Sequence, residues 1–137
     1  MSISLQNTTA MLVDDEAYFR RFVTRVLTKH GIGRVIEAID GNDALKKFIE
    51  ERPNLVILDI NMPHMDGMDA LRELRKIDDD VAIIMLTSIA DEMMVERCVI
   101  DGATYFIRKD VPADQLYAEI HDLLFEEADE AESCVAQ

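Results

Sequence analysis

Basic residues are scarce in this chain: 14 Lys and Arg face 28 Asp and Glu, for a formal net charge of −14. Binding to a phosphate backbone needs a cationic face, so no direct nucleic-acid partner is expected. Cysteine is nearly missing. Cys98 and Cys134 have no metal-ligand spacing and no further thiol partners. That excludes a disulfide framework and a thiolate metal site, and both read as reduced thiols of a cytoplasmic protein. No apolar run approaches the roughly 20 residues of a membrane span, so no membrane association is expected. Met1 to Asn7 lacks a basic segment followed by an apolar one, so no secretory signal is expected either. Repeats, linkers and low-complexity segments are also missing. Gly31-Ile32-Gly33 has no third glycine and leads into a strand pattern rather than a helix, which removes a dinucleotide loop.

What is present suits one α/β domain. The 137 residues are 49% hydrophobic and 31% charged, enough for a single substantial core. Strand patterns run over Thr8 to Val13, Val35 to Ala38, Leu55 to Leu58, Val81 to Leu86 and Tyr105 to Ile107. Helical patterns alternate with them. Phe19, Phe22, Val23, Val26 and Leu27 make an apolar stripe closed by Gly31, and Ala44, Leu45, Phe48 and Ile49 make a second, stopped by Pro53. Met68, Leu71, Leu74 and Ile77 form the third, and a fourth helix spans about Asp91 to Ile100, rich in Met93, Met94, Val95, Cys98 and Val99. The fifth runs from about Pro112, with Leu116, Ile120, Leu123 and Leu124 inward. Five strands alternating with five helices imply right-handed crossovers and a doubly wound parallel sheet. The expected division is an extension over 1–7, a domain over 8–125 and an acidic tail over 126–137, the last disordered.

The strand ends carry the chemistry. Leu55 to Leu58 is an unbroken apolar run that delivers Asp59 to the carboxyl edge of the sheet, where open α/β proteins bind their ligands. Taken alone, Asp59 is either a reactive group or a loop acid capping the next helix. The other strands then stop at Asp14-Asp15, Thr87 and Lys109. Each has a bland reading as a cap or a solvated lysine, but four strand ends agreeing is a poor match to coincidence. Three carboxylates at one edge repel one another unless a cation sits among them. Mg²⁺, a hard ion that takes a few carboxylates and a carbonyl, suits the set and invites a phosphoryl group. Lys109 offers such a group a point charge and Thr87 a hydroxyl, with Asp59 as nucleophile.

These residues make the chain resemble the receiver domain of two-component response regulators, in the manner of the stand-alone chemotaxis regulators. The resemblance covers about Thr8 to Leu124 and rests on Asp14-Asp15, the segment Asp59-Ile60-Asn61-Met62-Pro63-His64-Met65-Asp66-Gly67, Thr87-Ser88, Gly102-Ala103, and Phe106 three residues before Lys109. It implies a flavodoxin-like (βα)5 fold with strand order 2-1-3-4-5. It also implies that Asp59 is the phosphoacceptor, supplied by a sensor histidine kinase or a histidine phosphotransfer protein. Asp15, Asp59 and the backbone carbonyl of Asn61 would hold Mg²⁺, with Asp14 acting through water. Lys109 and Thr87 would contact the acyl phosphate, beside Ser88 and Ile89. Thr87 and Phe106 would form the switch, and the surface of helix 4, strand 5 and helix 5 would meet a downstream protein. Such a protein catalyses its own phosphorylation and dephosphorylation without being a conventional enzyme.

Two positions depart from the family pattern. Asp110 follows Lys109 where most receivers place proline, so a cis bond there would lack proline's help and cost ~3 kcal/mol or more. Ile89 is apolar where many members are polar. Three other readings compete. A haloacid-dehalogenase-type phosphatase needs a second acid where Asn61 stands, and a flavodoxin-like cofactor binder needs a Ser/Thr-rich loop where Asp14-Asp15-Glu16 stands. A degenerate receiver, acting as an unphosphorylated interaction module, needs no reactive site at all.

Overall fold

Three strands are buried along nearly their whole length, and these form the centre of the sheet. They are β1 (Thr9–Val13), β3 (Leu55–Asp59) and β4 (Ala82–Thr87). The more exposed β2 (Arg34–Ala38) and β5 (Tyr105–Arg108) are its edges. All neighbours pair in parallel, in the order β2-β1-β3-β4-β5. A central parallel strand is covered on both faces, which is why its sequence reads as a continuous apolar run. The computed structural model describes residues 5–62, 65–88 and 92–122.

Alternation along the strands divides the core in two. Met11, Val13, Val56, Leu58, Ile83 and Met85 point to one face, where they meet α2 (Gly41–Glu51), α3 (Gly67–Ile77) and Cys98 of α4 (Glu92–Ile100). Ala10, Leu12, Leu55, Ile57, Ile84 and Leu86 point to the other. There they meet α1 (Ala17–Lys29) and a fifth helix, α5, described over residues 113–122. Period-two alternation on each strand is thus matched by a period of three to four on each helix. Fully burying one large apolar side chain, such as Phe48 or Leu116, contributes about 1.5–3 kcal/mol. Among the described residues no helix is long and apolar enough to cross a membrane.

Helix ends follow local chemistry. Asp40 and Asp66 cap α2 and α3, their side chains accepting from the backbone N–H of Asp43 and Asp69 at 2.8 and 2.9 Å. Gly31 follows α1 with φ +96°, a left-handed conformation that favours glycine. One expectation about helix faces needs correction. Ile49, expected on the apolar face of α2, is 56% exposed. The buried stripe of that helix is Gly41, Ala44 and Phe48, and Ile49 lies about 100° further round the axis. Most of the apolar content of α4 is outside the core: Met93, Val99 and Ile100 are exposed, and among the described residues of that helix Cys98 alone is fully buried. Apolar density in that segment lacks the spacing that would gather it on one face. Residues 5–7 of the expected extension form a short 3-10 turn. Leu123, Leu124 and the tail over 126–137 lie outside the described residues.

Candidate functional site

Parallel pairing decides which residues share an edge. Val13 is in register with Ala38 and Leu58, Asp59 with Leu86, and Thr87 with Arg108. The residues at or just beyond those positions therefore emerge on one side of the sheet: Asp14 and Asp15 after β1, Asp59 and Thr87 at the ends of β3 and β4, and Lys109 after β5. Asp14, Asp59 and Thr87 are buried, whereas Asp15 is exposed. One carboxylate oxygen from each of Asp14, Asp15 and Asp59 falls within 4.8 Å of the others.

The strand ends are held by backbone bonds. Asp14 N–H donates to the Ala38 carbonyl at 3.1 Å, Ile60 N–H to Leu86 at 3.0 Å, Gly67 N–H to Ile60 at 2.7 Å and Lys109 N–H to Thr87 at 2.7 Å. The loop after β3 folds back tightly. A Cβ on Gly67 would sit 2.1 Å from the Asp59 carbonyl oxygen, so glycine is required there by close approach. Asp14 Oδ1 accepts from the Glu16 N–H at 2.9 Å, and Arg20 donates to the Asp14 carbonyl at 2.7 Å. One oxygen and the orientation of the Asp14 carboxylate are thereby settled before any ligand arrives.

Lys109 lies in the middle of the acids. Its Nζ is 2.7 Å from Asp14 Oδ2, 2.9 Å from Glu16 Oε1 and 3.5 Å from Asp59 Oδ2, with the Phe19 ring centroid at 4.3 Å. The lysine side chain is only 7% exposed. Burial opposes its charge, but Asp14 and Glu16 outweigh burial and hold the ammonium pKa well above its ordinary range. Burial also pushes the Asp14 carboxyl up, with Lys109 opposing. Asp59 is pushed to about 6, first by burial and then by Asp14, against the pull of Lys109. One buried cation thus sits among more negative charge than it neutralises.

This donor set fits a hard divalent cation. All its groups are oxygens, and the buried Asp14 Oδ2 meets a cation already, the Lys109 ammonium at 2.7 Å. A carboxylate oxygen has capacity for a further positive partner.

The remaining expected residues distribute as follows. Asn61 and Ser88 are exposed just beyond β3 and β4. Phe106 is half-buried on β5, in register with Met85 and packed against the same core face. Thr87 lies two residues beyond Met85, so Thr87 and Phe106 share a face of the sheet as diagonal neighbours. Ile89, and Pro63 and His64 of the loop after β3, lie outside the described residues. The Lys109–Asp110 peptide is trans, like every bond among the described residues. Asp110 is held by a two-pronged pair with Arg108, at 3.0 and 2.7 Å. Two participants went unseen in the sequence: Glu16, read only as the third acid of a run, and Phe19, read only as core. Nothing local to Glu16 points 93 positions ahead to Lys109, and nothing local to Phe19 points there either.

Residues 10–121 match the response regulator receiver domain family. The chain is 39% identical over 114 residues to the chemotaxis protein CheY of Bacillus subtilis, covering 83% of this chain and 95% of that protein. It is 37% identical over 99 residues to the CheY of Thermotoga maritima, covering 72% and 82%. One chain of the CheX–CheY–BeF3–Mg²⁺ complex from Borrelia burgdorferi superimposes with a TM-score of 0.78 at 28% identity, covering 85% of this chain and 89% of that one.

Proposed function

This chain belongs to the response regulator receiver family, and from that premise we propose that it accepts a phosphoryl group on Asp59 and signals by phosphorylation-dependent binding to another protein. The observation that carries the reading is the Asp59 carboxylate: buried, 3.5 Å from the Lys109 ammonium and clustered with Asp14 and Asp15. A structural acid has no need of that company. With its pKa at about 6, Asp59 is mostly ionised at pH 7 and available as a nucleophile.

The donor is a phosphohistidine on a sensor kinase or a histidine phosphotransfer protein. An Asp59 oxygen forms a bond to phosphorus as the phosphorus–nitrogen bond breaks, and the imidazole nitrogen keeps that electron pair. Charge spreads over the equatorial oxygens during transfer. Lys109, already 3.5 Å from Asp59, is positioned to stabilise that charge, and the Thr87 hydroxyl at the next strand end is positioned to donate to the product. Asp15, Asp59 and the Asn61 carbonyl would hold Mg²⁺, with Asp14 acting through water, and the ion would supply charge neutralisation at the site. Ser88 and Ile89 would flank the phosphoryl group.

Output follows from the same strand. Drawing Thr87 toward an acyl phosphate frees space on the face it shares with Phe106, favouring one of two packings of that ring. The surface of α4, β5 and α5 would then receive the partner, and the exposed Met93, Val99 and Ile100 of α4 give it apolar contact area. The Borrelia relative was crystallised with CheX, a precedent for a protein partner. We place the protein in the cytoplasm, with its kinase.

Incubation with acetyl phosphate and Mg²⁺ tests the reading by intact mass. The wild type should gain one phosphoryl group and Asp59→Asn none. An unlabelled wild type would favour the unphosphorylated interaction module instead. Undiminished labelling of Asp59→Asn would move the acceptor elsewhere.

A further inference from the structure

We propose that Glu16 is a positioning residue that gives the Lys109 ammonium a second seat, so that Lys109 can leave Asp14 when a hydrated divalent cation engages that carboxylate. The inference rests on the metal site proposed above. Asp14 Oδ1 already accepts from the Glu16 N–H at 2.9 Å, and Oδ2 is in contact with Lys109 Nζ at 2.7 Å. The Asp14 oxygen not tied to its own backbone loop, and so the one to meet a hydrated cation, is the one the lysine holds.

Lys109 cannot resolve this by moving into water, because its side chain is 7% exposed and the Phe19 ring closes one side. A buried ammonium without a counter-charge is costly. Asp59, its other neighbour, belongs to the same metal cluster. Glu16 does not: its carboxylate is 42% exposed and outside the group of Asp14, Asp15 and Asp59, yet lies 2.9 Å from Nζ. When the cluster acids are drawn to a cation, Glu16 is the carboxylate left for Lys109. The same residue therefore orients Asp14 through its backbone and accommodates the displaced lysine through its side chain.

The test is calorimetric titration of Mg²⁺ at fixed ionic strength into wild type, Glu16→Gln, Lys109→Ala and the double variant. A Lys109→Gln pair should run in parallel in case the alanine variant fails to fold. Glu16→Gln keeps the backbone N–H and the side-chain volume. For a half-exposed ion pair the effect is modest, so Mg²⁺ affinity should fall roughly two- to fivefold when Lys109 is present. Without Lys109 the substitution should change affinity by less than about 1.5-fold, because only a screened through-space effect remains. An equal loss in both backgrounds would make Glu16 an ordinary surface charge and overturn the proposal. So would unchanged or improved affinity in Glu16→Gln. A wild type that binds no Mg²⁺ would overturn the metal reading itself, an outcome visible before any variant is compared.

Discussion

Replacing Asp59 by Asn should stabilise the metal-free protein, and the gain should depend on pH in a defined way. Burial and Asp14 raise the Asp59 carboxyl from 3.8 to about 6, so the fold binds this proton more tightly than the unfolded chain does. With the folded value above the unfolded one, the wild type loses stability as pH rises from about 4 to about 6, and the loss stays constant above that. Roughly two pKa units at about 1.4 kcal/mol each make it about 3 kcal/mol at pH 8. Asn cannot ionise and nearly preserves the volume, so it escapes the penalty. Its loss of attraction to Lys109 at 3.5 Å is smaller than what it escapes, since the net shift is upward. The variant should match the wild type near pH 4 and exceed it by about 2–3 kcal/mol at pH 8. For a domain of this size that is a rise in midpoint of roughly 6–12 °C. Urea denaturation of both proteins in chelator, from pH 4 to 8, measures the difference directly. Saturating Mg²⁺ should narrow it by stabilising the wild type more. A variant no more stable at pH 8, or a gain that does not grow through pH 6, would refute the crowded-carboxylate account.

Other perturbations separate the remaining roles. Lys109→Ala should keep Mg²⁺ binding within a few-fold while losing phosphorylation or its coupling to partner binding, whereas Asp15→Ala should lose metal affinity. Equal damage to metal binding in the two variants, by calorimetry, would contradict that division. Gly67→Ala should destabilise by about 2–4 kcal/mol in urea unfolding, because the new Cβ meets the Asp59 carbonyl at 2.1 Å and the backbone there has nowhere to relax. A neutral result would mean that the loop after β3 yields easily. If Ile89 flanks the phosphoryl group as proposed, Ile89→Glu should speed decay of the acyl phosphate, since an apolar side chain there does not orient an attacking water. Equal or slower decay in the same Mg²⁺ buffer would remove Ile89 from the mechanism.

Hydrophobic patterning along the chain was enough to place the elements and the edge on which the chemistry lies. A run such as Leu55 to Leu58 is apolar at every position because both faces are covered. That doubly buried pattern requires parallel strands with helical crossovers, and parallel strands bring their carboxyl ends to one side. Asp14, Asp15, Asp59, Thr87 and Lys109 were therefore legible as one group from position alone. Periodicity was less informative for α4, whose apolar residues are dense but not gathered on one face, and for Ile49, which lies just past a narrow stripe. How the charges are shared depends instead on packing in three dimensions. β1 and β5 are separated in the sheet by β3 and β4, and no local pattern reports whether a lysine after one reaches an acid after the other. That depends on strand register and on how far each loop lets a side chain lean. It is why Asp14 is buried beside an exposed Asp15, and why Lys109 ends between Asp14, Asp59, Glu16 and the ring of Phe19. Spacing along the chain names the groups at a site, but their protonation and pairing follow from burial and distance, which exist only once the chain is folded.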